Sequence, residues 1–329
     1  MQPEYIIIKI YQMRTIAALA LVAAANASTE MESAFMSYIS SFEKSYPTIE
    51  EFNHRFEQFA RNHANIETHN ASGAFTFTLG HNQFSDWTEE EYKAILTYTP
   101  VDTTEMEFED FDANEINGAI DWRSKGAVQS IKDQGQCGSC WAFSTMSAME
   151  SSHQIKSGKL LSLSEQQLVD CSTSNHGCNG GNASLAFSYL SSKAAMSESS
   201  YPYTHRNGTC KWSSNNTGVV STSHSYVTSN SPSAMKSALA NQPLSVAIEA
   251  DKSVFQSYKS GIFNSTACGT SLDHATNVVG WGSSAGTDYW IMRNSWGTSW
   301  GEKGYMRLAI VSGKGNCGIQ MQPLYTKTN

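Results

Sequence analysis

The chain has 329 residues, of which 40% are hydrophobic, and it contains 8 Trp, 14 Tyr and 14 Phe. This content is too apolar and aromatic for a disordered protein, and the length allows one large domain and an appended segment. The net charge of −8 argues against nucleic-acid binding over a broad phosphate-neutralising face. No apolar run reaches the roughly eighteen residues that a membrane-spanning helix needs.

The charge is distributed unevenly along the chain. Residues 28–115 hold 18 Asp and Glu against 4 Lys and Arg, a net charge of −14, whereas residues 116–329 carry +5. Two segments of opposite sign attract each other at neutral pH and less so in acid. The alternative is a chance difference in composition.

Residues 1–27 have the features of a secretory signal. Arg14 precedes an apolar run at 16–25, and Ala25-Asn26-Ala27 fits the small-x-small cleavage pattern. Translation from Met1 or from Met13 is compatible with this pattern. Secretion permits disulfides, and because the seven cysteines are an odd number, at least one thiol stays free or pairs between chains.

Residues 33–95 are predicted to form a self-contained helical segment. An aromatic-rich stripe recurs at three- and four-residue steps on one helix face and consists of Phe52, Phe56, Phe59, His63 and Ile66. Glu51 and Arg55 are four residues apart and can pair on a neighbouring face. Residues 80–86 have strand or turn character, and a new helix is predicted to start at Thr88.

Residues 96–115 are acidic and lack periodicity, which is typical of an exposed linker that is easily cut. The main body, residues 116–329, is rich in Gly, Ser and Trp. A buried helix is predicted from Ser139 to Lys156, ended by Ser157-Gly158. Later short apolar segments favour strands: Ser245–Glu249, Asn277–Gly280, Tyr289–Arg293 and Tyr305–Ile310. A helix followed by strands indicates an α+β fold with two lobes.

Cys140 is the candidate nucleophile. It stands at the first turn of the predicted helix, where unpaired amides and the helix dipole stabilise a thiolate and lower the pKa of the thiol. A cysteine at a helix start is more often half of a structural disulfide. The position alone therefore leaves both interpretations open.

A catalytic thiolate needs a base or ion-pair partner, and that partner needs a group that orients it. His274, in the stretch Leu272-Asp273-His274-Ala275, lies 134 residues past Cys140, and Asn294 lies 154 residues past it. Five of the nine histidines fall in the body, and any one of them taken alone is more often a surface or packed residue.

Several motifs occur in the order found in one family. In the body they are Asp121-Trp122-Arg123, the stretch from Gln134 to Ser144, Gly177 to Gly181, Tyr201-Pro202-Tyr203, Asp273-His274-Ala275 and Asn294 to Gly301. In the front half they are Glu51, Arg55, Phe59, Asn62, Ile66 and Asn70, and then Gly80, Asn82, Phe84 and Asp86. With these motifs the chain resembles the papain-like cysteine proteases of the cathepsin L type, including their inhibitory propeptide, from residue 35 to about 325.

The resemblance implies a papain-like two-lobed fold. It has a helical left lobe whose central helix carries Cys140, a β-barrel-like right lobe and a helical prodomain in front. It also implies that Cys140 is the nucleophile, that His274 is its imidazolium partner and general acid, and that Asn294 orients the imidazole. Gln134 would donate its side-chain amide to the oxyanion beside the backbone N–H of Cys140. No metal or cofactor is expected.

By the same resemblance, Gly180 and Gly181 form the backbone edge that pairs with an extended substrate. The other residues assigned to substrate binding are Asn182, Ala183, Leu272, Asp273, Ala275, Trp296 and Gln322. Trp296 would shield the histidine–asparagine hydrogen bond from water, although a plain core tryptophan is the alternative. Asn182 and Gln322 are polar residues at a pocket that usually prefers Phe or Leu, so this pocket is expected to tolerate a polar or basic group.

The resemblance selects three disulfides, Cys137–Cys178, Cys171–Cys210 and Cys268–Cys317, and leaves Cys140 free. Glycosylation sequons occur at Asn70, Asn182, Asn207, Asn215 and Asn264. A glycan on Asn182 would crowd the substrate cleft, so Asn182 is predicted to be unmodified in active enzyme.

The predicted organisation is a signal peptide at 1–27, an inhibitory propeptide at 28–115 with a helical prodomain at 35–95 and a linker at 96–115, and a mature peptidase domain at 116–329. The predicted function is that of a cysteine endopeptidase zymogen of the secretory pathway, acting in a lysosome or digestive vacuole or outside the cell. Its expected partners are protein and peptide substrates, its own propeptide and cystatin-like inhibitors. A monomer is expected, without nucleic acid or a membrane span.

Two other classes remain open at this point. The chain could be a catalytically inactive relative that serves as a binding scaffold, or it could act mainly as a protease inhibitor through its prodomain. Exopeptidase action would need an insertion that blocks one end of the cleft, and the 32 residues from Cys178 to Cys210 leave no room for a large one. Cleavage of the precursor is predicted near Ala113–Ile116.

Overall fold

The computed structural model describes residues 29–102, 104, 106, 108, 109, 111, 118–215 and 218–329. The predicted signal peptide, the choice between Met1 and Met13 and the predicted cleavage region near Ala113–Ile116 lie outside the described residues. The chain divides into two compact units. The described part of the smaller unit is 29–65 and 85–87, and the larger unit contains 66–84 and the described residues from 88 onward.

The smaller unit contains a helix at residues 29–41 (α1) and most of helix α2, Ile49–Ser72, whose residues from 66 onward belong to the larger unit. The Thr48 hydroxyl accepts a hydrogen bond from the N–H of Glu51 at the start of α2, which supplies one donor of the first turn with a partner. Its core is an aromatic cluster in which Phe35, Tyr38 and Phe59 are buried. The predicted stripe on α2 therefore faces a core.

Asp86 is the polar centre of the smaller unit. Its carboxylate accepts hydrogen bonds from the hydroxyls of Tyr38 and Tyr46 and from the Lys44 ammonium at 2.7–2.8 Å. Arg55 donates to the Asp86 carbonyl and pairs with Glu51 at 2.6 Å. The predicted pairing of Glu51 with Arg55 is confirmed.

The prediction that residues 33–95 are helical and self-contained is only partly right. Strand β1, Phe77–Leu79, interrupts the helices and pairs antiparallel with β6, so residues 66–84 belong to the larger unit. Helix α3, Glu89–Lys93, also belongs there. It begins at Thr88, as predicted, with a capping box in which Thr88 and Glu91 satisfy each other's backbone N–H groups.

The larger unit contains one ten-stranded sheet. Its strands are β1, β2 (Phe108–Glu109), β3 (Ile120–Asp121), β4 (Ser221–Val227), β5 (Leu244–Ile248), β6 (Tyr258–Phe263), β7 (His274–Ser284), β8 (Thr287–Arg293), β9 (Tyr305–Ala309) and β10 (Leu324–Thr328). Their order is β1-β6-β9-β8-β7-β5-β10-β4-β2, and β3 pairs with β7. The mixture of helices with this sheet confirms the α+β prediction. The sheet does not close on itself, so the predicted barrel-like lobe is not a closed barrel.

Helix α4, Cys140–Ser157, is the central helix of the larger unit and packs against β7 and β10. It is buried on every face from Cys140 to Ser152, as a helix surrounded by core must be. Gly158 ends it in the left-handed conformation, with φ 75°, which glycine adopts without strain. The predicted bounds of this helix are confirmed to within one residue.

The remaining helices of the larger unit are α5 (Glu165–Cys171), α6 (Ala183–Leu190), α7 (Pro232–Leu239) and α8 (Ser253–Gln256), with a 3-10 turn at Asn316–Gly318. Helices α4, α5 and α6 share one hydrophobic core with Tyr226 and Leu324 of the sheet. In the described part of the chain, no helix has the length and apolar character required to cross a bilayer.

Candidate active site

Cys140 is the first residue of α4 and is fully buried. Ser139, the N-cap residue, makes no side-chain hydrogen bond to the helix. The six other cysteines form the disulfides Cys137–Cys178, Cys171–Cys210 and Cys268–Cys317, which are the pairs that the resemblance implies. Cys140 is left as a free thiol.

Strand β7 brings a histidine to this thiol. His274 is the first residue of β7, and the backbone N–H of the next residue, Ala275, lies near enough to the Cys140 sulfur to lower the pKa of the thiol. His274 is itself fully buried. The two residues that the sequence separates by 134 positions are therefore neighbours at the junction of α4 and β7.

Asn294 follows the last residue of β8 and fixes the histidine ring. His274 Nε2 lies 2.9 Å from Asn294 Oδ1, which also accepts the backbone N–H of Ser295 at 2.8 Å. A carbonyl oxygen only accepts hydrogen bonds, so Nε2 carries the proton. The other ring nitrogen, Nδ1, is buried without a hydrogen-bond partner among the described residues and keeps a lone pair.

Trp296 covers the histidine–asparagine pair. Its ring is fully buried and stacks on the His274 ring at a centroid distance of 4.6 Å and an interplanar angle of 27°. Phe84 and Phe255 meet it edge-on at 5.1 and 5.9 Å. The aromatic cover excludes water from the hydrogen bond, and low dielectric strengthens such a bond.

Burial keeps both groups of the pair neutral in this state. It raises the pKa of the Cys140 thiol to about 11, against the opposing effect of the backbone N–H groups of Ala275, Thr97 and Trp141. It lowers the pKa of His274 to about 4, although the hydrogen bond to Asn294 acts in the other direction. The expected lowering of the thiol pKa at the helix start is therefore wrong for this state, because desolvation outweighs the helix amides.

Both the oxygen and the nitrogen of the Gln134 side-chain amide are hydrogen-bonded. Its Oε1 accepts the Ser295 hydroxyl at 2.8 Å, and its Nε2 donates to the carbonyl oxygens of Ile95 and Cys137 at 3.2 and 3.1 Å. The amide orientation is therefore fixed by its partners. The Ile95 carbonyl oxygen occupies one donor direction of the residue predicted to stabilise an oxyanion.

Residues 96–99 run past the thiol after a turn at 94–95. The backbone of Thr97 lies near enough to the Cys140 sulfur to favour the thiolate and oppose the rise in the thiol pKa, and the Thr97 hydroxyl donates to the Gly138 carbonyl at 2.7 Å. Tyr98 forms a parallel β-bridge with Gly181. Gly181 donates to the Thr97 carbonyl at 3.3 Å and accepts the Thr99 N–H at 3.0 Å.

The glycines at this edge allow the close approach. A side chain on Gly180 would meet the Thr97 carbonyl oxygen at 2.4 Å, and one on Gly181 would meet the Asn175 side chain at 2.3 Å. Both distances are below any normal contact. Asp273 completes the edge from the other side, since its carbonyl accepts the Tyr98 N–H at 2.9 Å.

Gln322 receives the side chain of Tyr98. The Tyr98 hydroxyl donates to Gln322 Oε1 at 2.7 Å, and Gln322 Nε2 donates to the Val101 carbonyl at 2.7 Å. Gln322 is buried. The segment 95–101 was not predicted in this detail, because the sequence offered only an acidic composition for the linker as a whole.

The other predicted pocket residues are buried as well: Asn182, Ala183, Leu272 and Ala275. The Asn182 side chain caps α6, since its Oδ1 accepts the N–H of Leu185 at 3.0 Å. The sequence Asn182-Ala183-Ser184-Leu185 carries this signal, an N-cap residue before an apolar helix. The polar character of Asn182 thus has a structural cause.

Two residues near the site were missed by the sequence analysis. Ser295 holds the Gln134 side chain, and its place directly after Asn294 was the available signal. The Tyr203 hydroxyl lies 2.6 Å from the Ser139 hydroxyl and donates to the Gln134 carbonyl at 3.0 Å. Tyr203 belongs to a motif that was recognised, but nothing in the sequence indicated which groups it would contact.

A buried free cysteine at a helix start, beside a histidine–asparagine pair and under a preceding segment of the same chain, defines a cysteine protease made with a propeptide. Residues 116–327 match the papain family cysteine protease model, and residues 35–92 match the cathepsin propeptide inhibitor domain. The chain belongs to the papain family of cysteine proteases. The comparisons bear out a cysteine-type endopeptidase in zymogen form.

The relatives include precursors of the same kind. Cysteine protease XCP2 of Arabidopsis thaliana is 44% identical over 89% of this chain and 86% of its own length. A recombinant stem bromelain precursor is 40% identical with a TM-score of 0.83, covering 91% of this chain and 99% of its own. Digestive procathepsin L 3 of Tenebrio molitor larval midgut is 37% identical with a TM-score of 0.83, covering 90% and 99%.

Proposed function

We propose that the chain is the precursor of a cysteine endopeptidase of the secretory pathway, with a signal peptide at 1–27, an inhibitory propeptide at 28–115 and a mature enzyme at 116–329. The family matches at 35–92 and 116–327 fall within these bounds. The observation that carries the proposal is the course of residues 95–99 over the Cys140 thiol.

Catalysis begins when the propeptide leaves the thiol. Cys140 then transfers its proton to His274 Nδ1, whose lone pair is available because Asn294 holds the proton on Nε2. The thiolate attacks a peptide carbonyl carbon, and the imidazolium protonates the leaving amine as the acyl-enzyme forms. Water, deprotonated by His274, then hydrolyses the thioester and returns the thiol.

The oxyanion of each tetrahedral intermediate is bound by two donors, the Gln134 Nε2–H and the backbone N–H of Cys140. In the precursor the Ile95 carbonyl already accepts from Gln134 Nε2. A propeptide carbonyl therefore uses the donor that a substrate would need. The Ser295 hydroxyl keeps that donor pointed in one direction by bonding Gln134 Oε1.

Inhibition by the propeptide follows from chain direction and from protonation. Residues 97–99 reach the site in a parallel bridge with Gly181, and this direction is proposed to keep the propeptide's peptide bonds out of line for attack by the sulfur. The same cover desolvates the site and keeps the thiol and the imidazole neutral. Removing the segment readmits water and lets the ion pair form.

Extended peptides are the substrates that fit this edge. Gly181 offers both a donor and an acceptor, which main-chain pairing with an added strand requires. Gln322 at the neighbouring pocket takes a hydroxyl in the precursor. We infer that the pocket accepts polar aromatic groups such as tyrosine in addition to apolar ones.

Activation in an acidic compartment is supported by the charge distribution, because part of the carboxylates in the linker 96–115 protonate in acid and lose attraction for the +5 body. A lysosome, a digestive vacuole or the extracellular space is the proposed destination. The larval-midgut procathepsin among the relatives supports a digestive setting.

The proposal is tested by hydrolysis of a peptide substrate after the propeptide has been removed in acid, by self-cleavage or, for variants that cannot cleave themselves, by an added aspartic protease that is then inhibited. Cys140→Ala is expected to abolish turnover, and Gln134→Ala should lower kcat by about 10²- to 10³-fold because it removes one oxyanion donor. Gln129→Ala is the matched control, since the Gln129 side chain bonds only its neighbour Ser130 among the contacts described. Turnover by Cys140→Ala protein would refute the proposal and favour an inactive scaffold or an inhibitor.

A further inference from the structure

The Tyr203 hydroxyl links two short segments of the larger unit. Its oxygen lies 3.0 Å from the Gln134 carbonyl oxygen and 2.6 Å from the Ser139 hydroxyl oxygen. The carbonyl can only accept, so the phenol proton points to Gln134. The Ser139 hydroxyl must then donate to the phenol oxygen, which gives one directed chain from Ser139 through Tyr203 to Gln134.

The two ends of this chain carry the two proposed oxyanion donors. Gln134 supplies its own side-chain amide, and Ser139 immediately precedes Cys140, whose backbone N–H is the other donor. Ser139 is the N-cap of α4, yet its hydroxyl makes no bond to the helix. A serine at this position usually accepts from an N–H of the first turn, so the bond to Tyr203 replaces the usual cap.

Tyr203 is itself firmly held. Its ring meets Phe143 of α4 edge-on at 4.9 Å and His205 at 4.6 Å. Its backbone N–H donates to Glu198 at 2.8 Å. Burial raises the pKa of the phenol above its usual range, with the Ser139 hydrogen bond opposing, so the hydroxyl remains a donor at any working pH.

We propose that Tyr203 is a positioning residue that sets the spacing of the two oxyanion donors, through its hydrogen bonds to Gln134 and Ser139. This inference rests on the proposed function, in which Gln134 and the Cys140 N–H bind the oxyanion. The phenol is assigned no contact with the substrate or with the thiol. It acts by fixing the backbone on which each donor is carried.

The test compares Tyr203→Phe with Tyr201→Phe in the acid-processed enzyme. Tyr201 is the matched control, because its hydroxyl bonds Asp170 and the Thr209 carbonyl and neither oxyanion donor. Three quantities are measured: kcat and KM for a peptide amide, the inhibition constant of a peptide aldehyde, and the rate of Cys140 alkylation by iodoacetamide. The Cys140 sulfur adds to the aldehyde carbonyl carbon and gives a tetrahedral adduct whose oxygen needs the oxyanion donors. Alkylation by iodoacetamide forms no such oxygen.

Tyr203→Phe should lower kcat and weaken aldehyde binding by the same factor, about tenfold. Without the phenol hydrogen bonds, the two oxyanion donors are no longer held at their correct spacing. KM and the alkylation rate should stay within about twofold, and Tyr201→Phe should leave all three unchanged. Ser139→Ala breaks the other end of the chain and should show the same pattern more weakly. It serves as the second variant if Tyr203→Phe does not accumulate.

Two results would overturn the inference. One is an unchanged aldehyde affinity in both Tyr203→Phe and Ser139→Ala while Gln134→Ala weakens it, since the oxyanion donors would then work without Tyr203. The other is an equal fall in aldehyde affinity and alkylation rate, which would indicate a general structural defect. If Gln134→Ala also leaves aldehyde binding intact, the proposed oxyanion site itself is wrong, and the inference falls with it.

Discussion

Tyr98 and Gly181 form a parallel β-bridge, and Gly181 bonds the chain on both sides of Tyr98. In the proposed mode of substrate binding, the propeptide thus occupies the edge that an extended substrate would use, with Thr97 next to the Cys140 thiol. One segment of the propeptide therefore lies both along the Gly181 edge and beside the thiol.

The first prediction concerns the reactivity of the thiol. In the precursor the pKa of Cys140 is raised to about 11 and that of His274 lowered to about 4, so both stay neutral between these values. Iodoacetamide should therefore alkylate the precursor slowly at pH 6, with a rate that climbs only in strong alkali. After processing, the rate at pH 6 should rise by at least about 100-fold, because the ion pair supplies thiolate. Equal rates at pH 6 before and after processing would contradict the account.

The second prediction concerns the pocket at Gln322. Replacing Gln322 by Leu removes the group that accepts the Tyr98 hydroxyl, and a buried phenol without a partner is unfavourable. For paired substrates with Tyr or Phe two residues before the cleaved bond, the kcat/KM ratio of Tyr to Phe should fall about tenfold in Gln322→Leu. Ala183→Gly, which changes the predicted pocket without removing a polar group, is the control. An unchanged kcat/KM ratio would show that Gln322 does not contribute to the choice between Tyr and Phe substrates.

The third prediction concerns the sequon at Asn182. Its side chain caps α6 and is 6% exposed, whereas Asn264 lies on an exposed stretch. Glycopeptide mass spectrometry on material from a glycosylating host should find Asn182 unmodified. Asn182→Ala should cost about 1 kcal/mol of unfolding free energy by loss of the cap, and Asn182→Asp should restore it. A glycan at Asn182 in fully active enzyme would contradict this prediction.

The fourth prediction concerns a buried charge cluster. The Lys132 ammonium contacts the carboxylates of Glu150 and Glu165 at 3.0 and 2.6 Å. Burial raises the pKa of Glu165 above its usual 4.5, although Lys132 opposes this. The folded state then binds the Glu165 proton more tightly than the unfolded state, so this stability is complete below pH 4.5 and is lost as the pH rises through the raised pKa.

Urea unfolding of the full precursor carrying Cys140→Ala, which prevents self-cleavage, measures this effect. Unfolding free energy should decline from pH 4.5 toward neutrality, and Glu165→Gln should flatten the decline. Lys132→Met should lower stability by about 3–5 kcal/mol, because it leaves the buried carboxylates without their cation. A decline that is equally steep in Glu165→Gln would assign it to other groups.

Much of the fold could be predicted from local patterns. The bounds of helix α4 could be predicted from its apolar sequence and from Gly158, and the start of α3 from Thr88. Such signals act within a few residues of the helix end. Strand β1 was not predicted, because three residues acquire strand geometry only through pairing with β6, almost two hundred positions away. A segment this short carries little sequence signal for a strand that depends on long-range pairing.

The candidate site divides in the same way. Cys140, His274, Asn294 and Gln134 were identified through motif resemblance, and the structure brings them together. The shift in the thiol pKa was predicted with the wrong sign for the precursor, since the effect of the helix start is local whereas the desolvation depends on how the folded chain buries Cys140. The contacts of Tyr203 and Tyr98 likewise depend on tertiary structure.

The central claim is that the propeptide blocks a competent Cys140 until acid processing removes it. The direct measurement is the intact mass of the precursor before and after a shift to about pH 4.5 with a reductant, with and without a thiolate-alkylating peptidyl epoxide. The account predicts a fall in mass to that of roughly residues 114–329 and addition of one epoxide, at Cys140, only after the fall. A precursor that stays full length and never takes up the epoxide would contradict it.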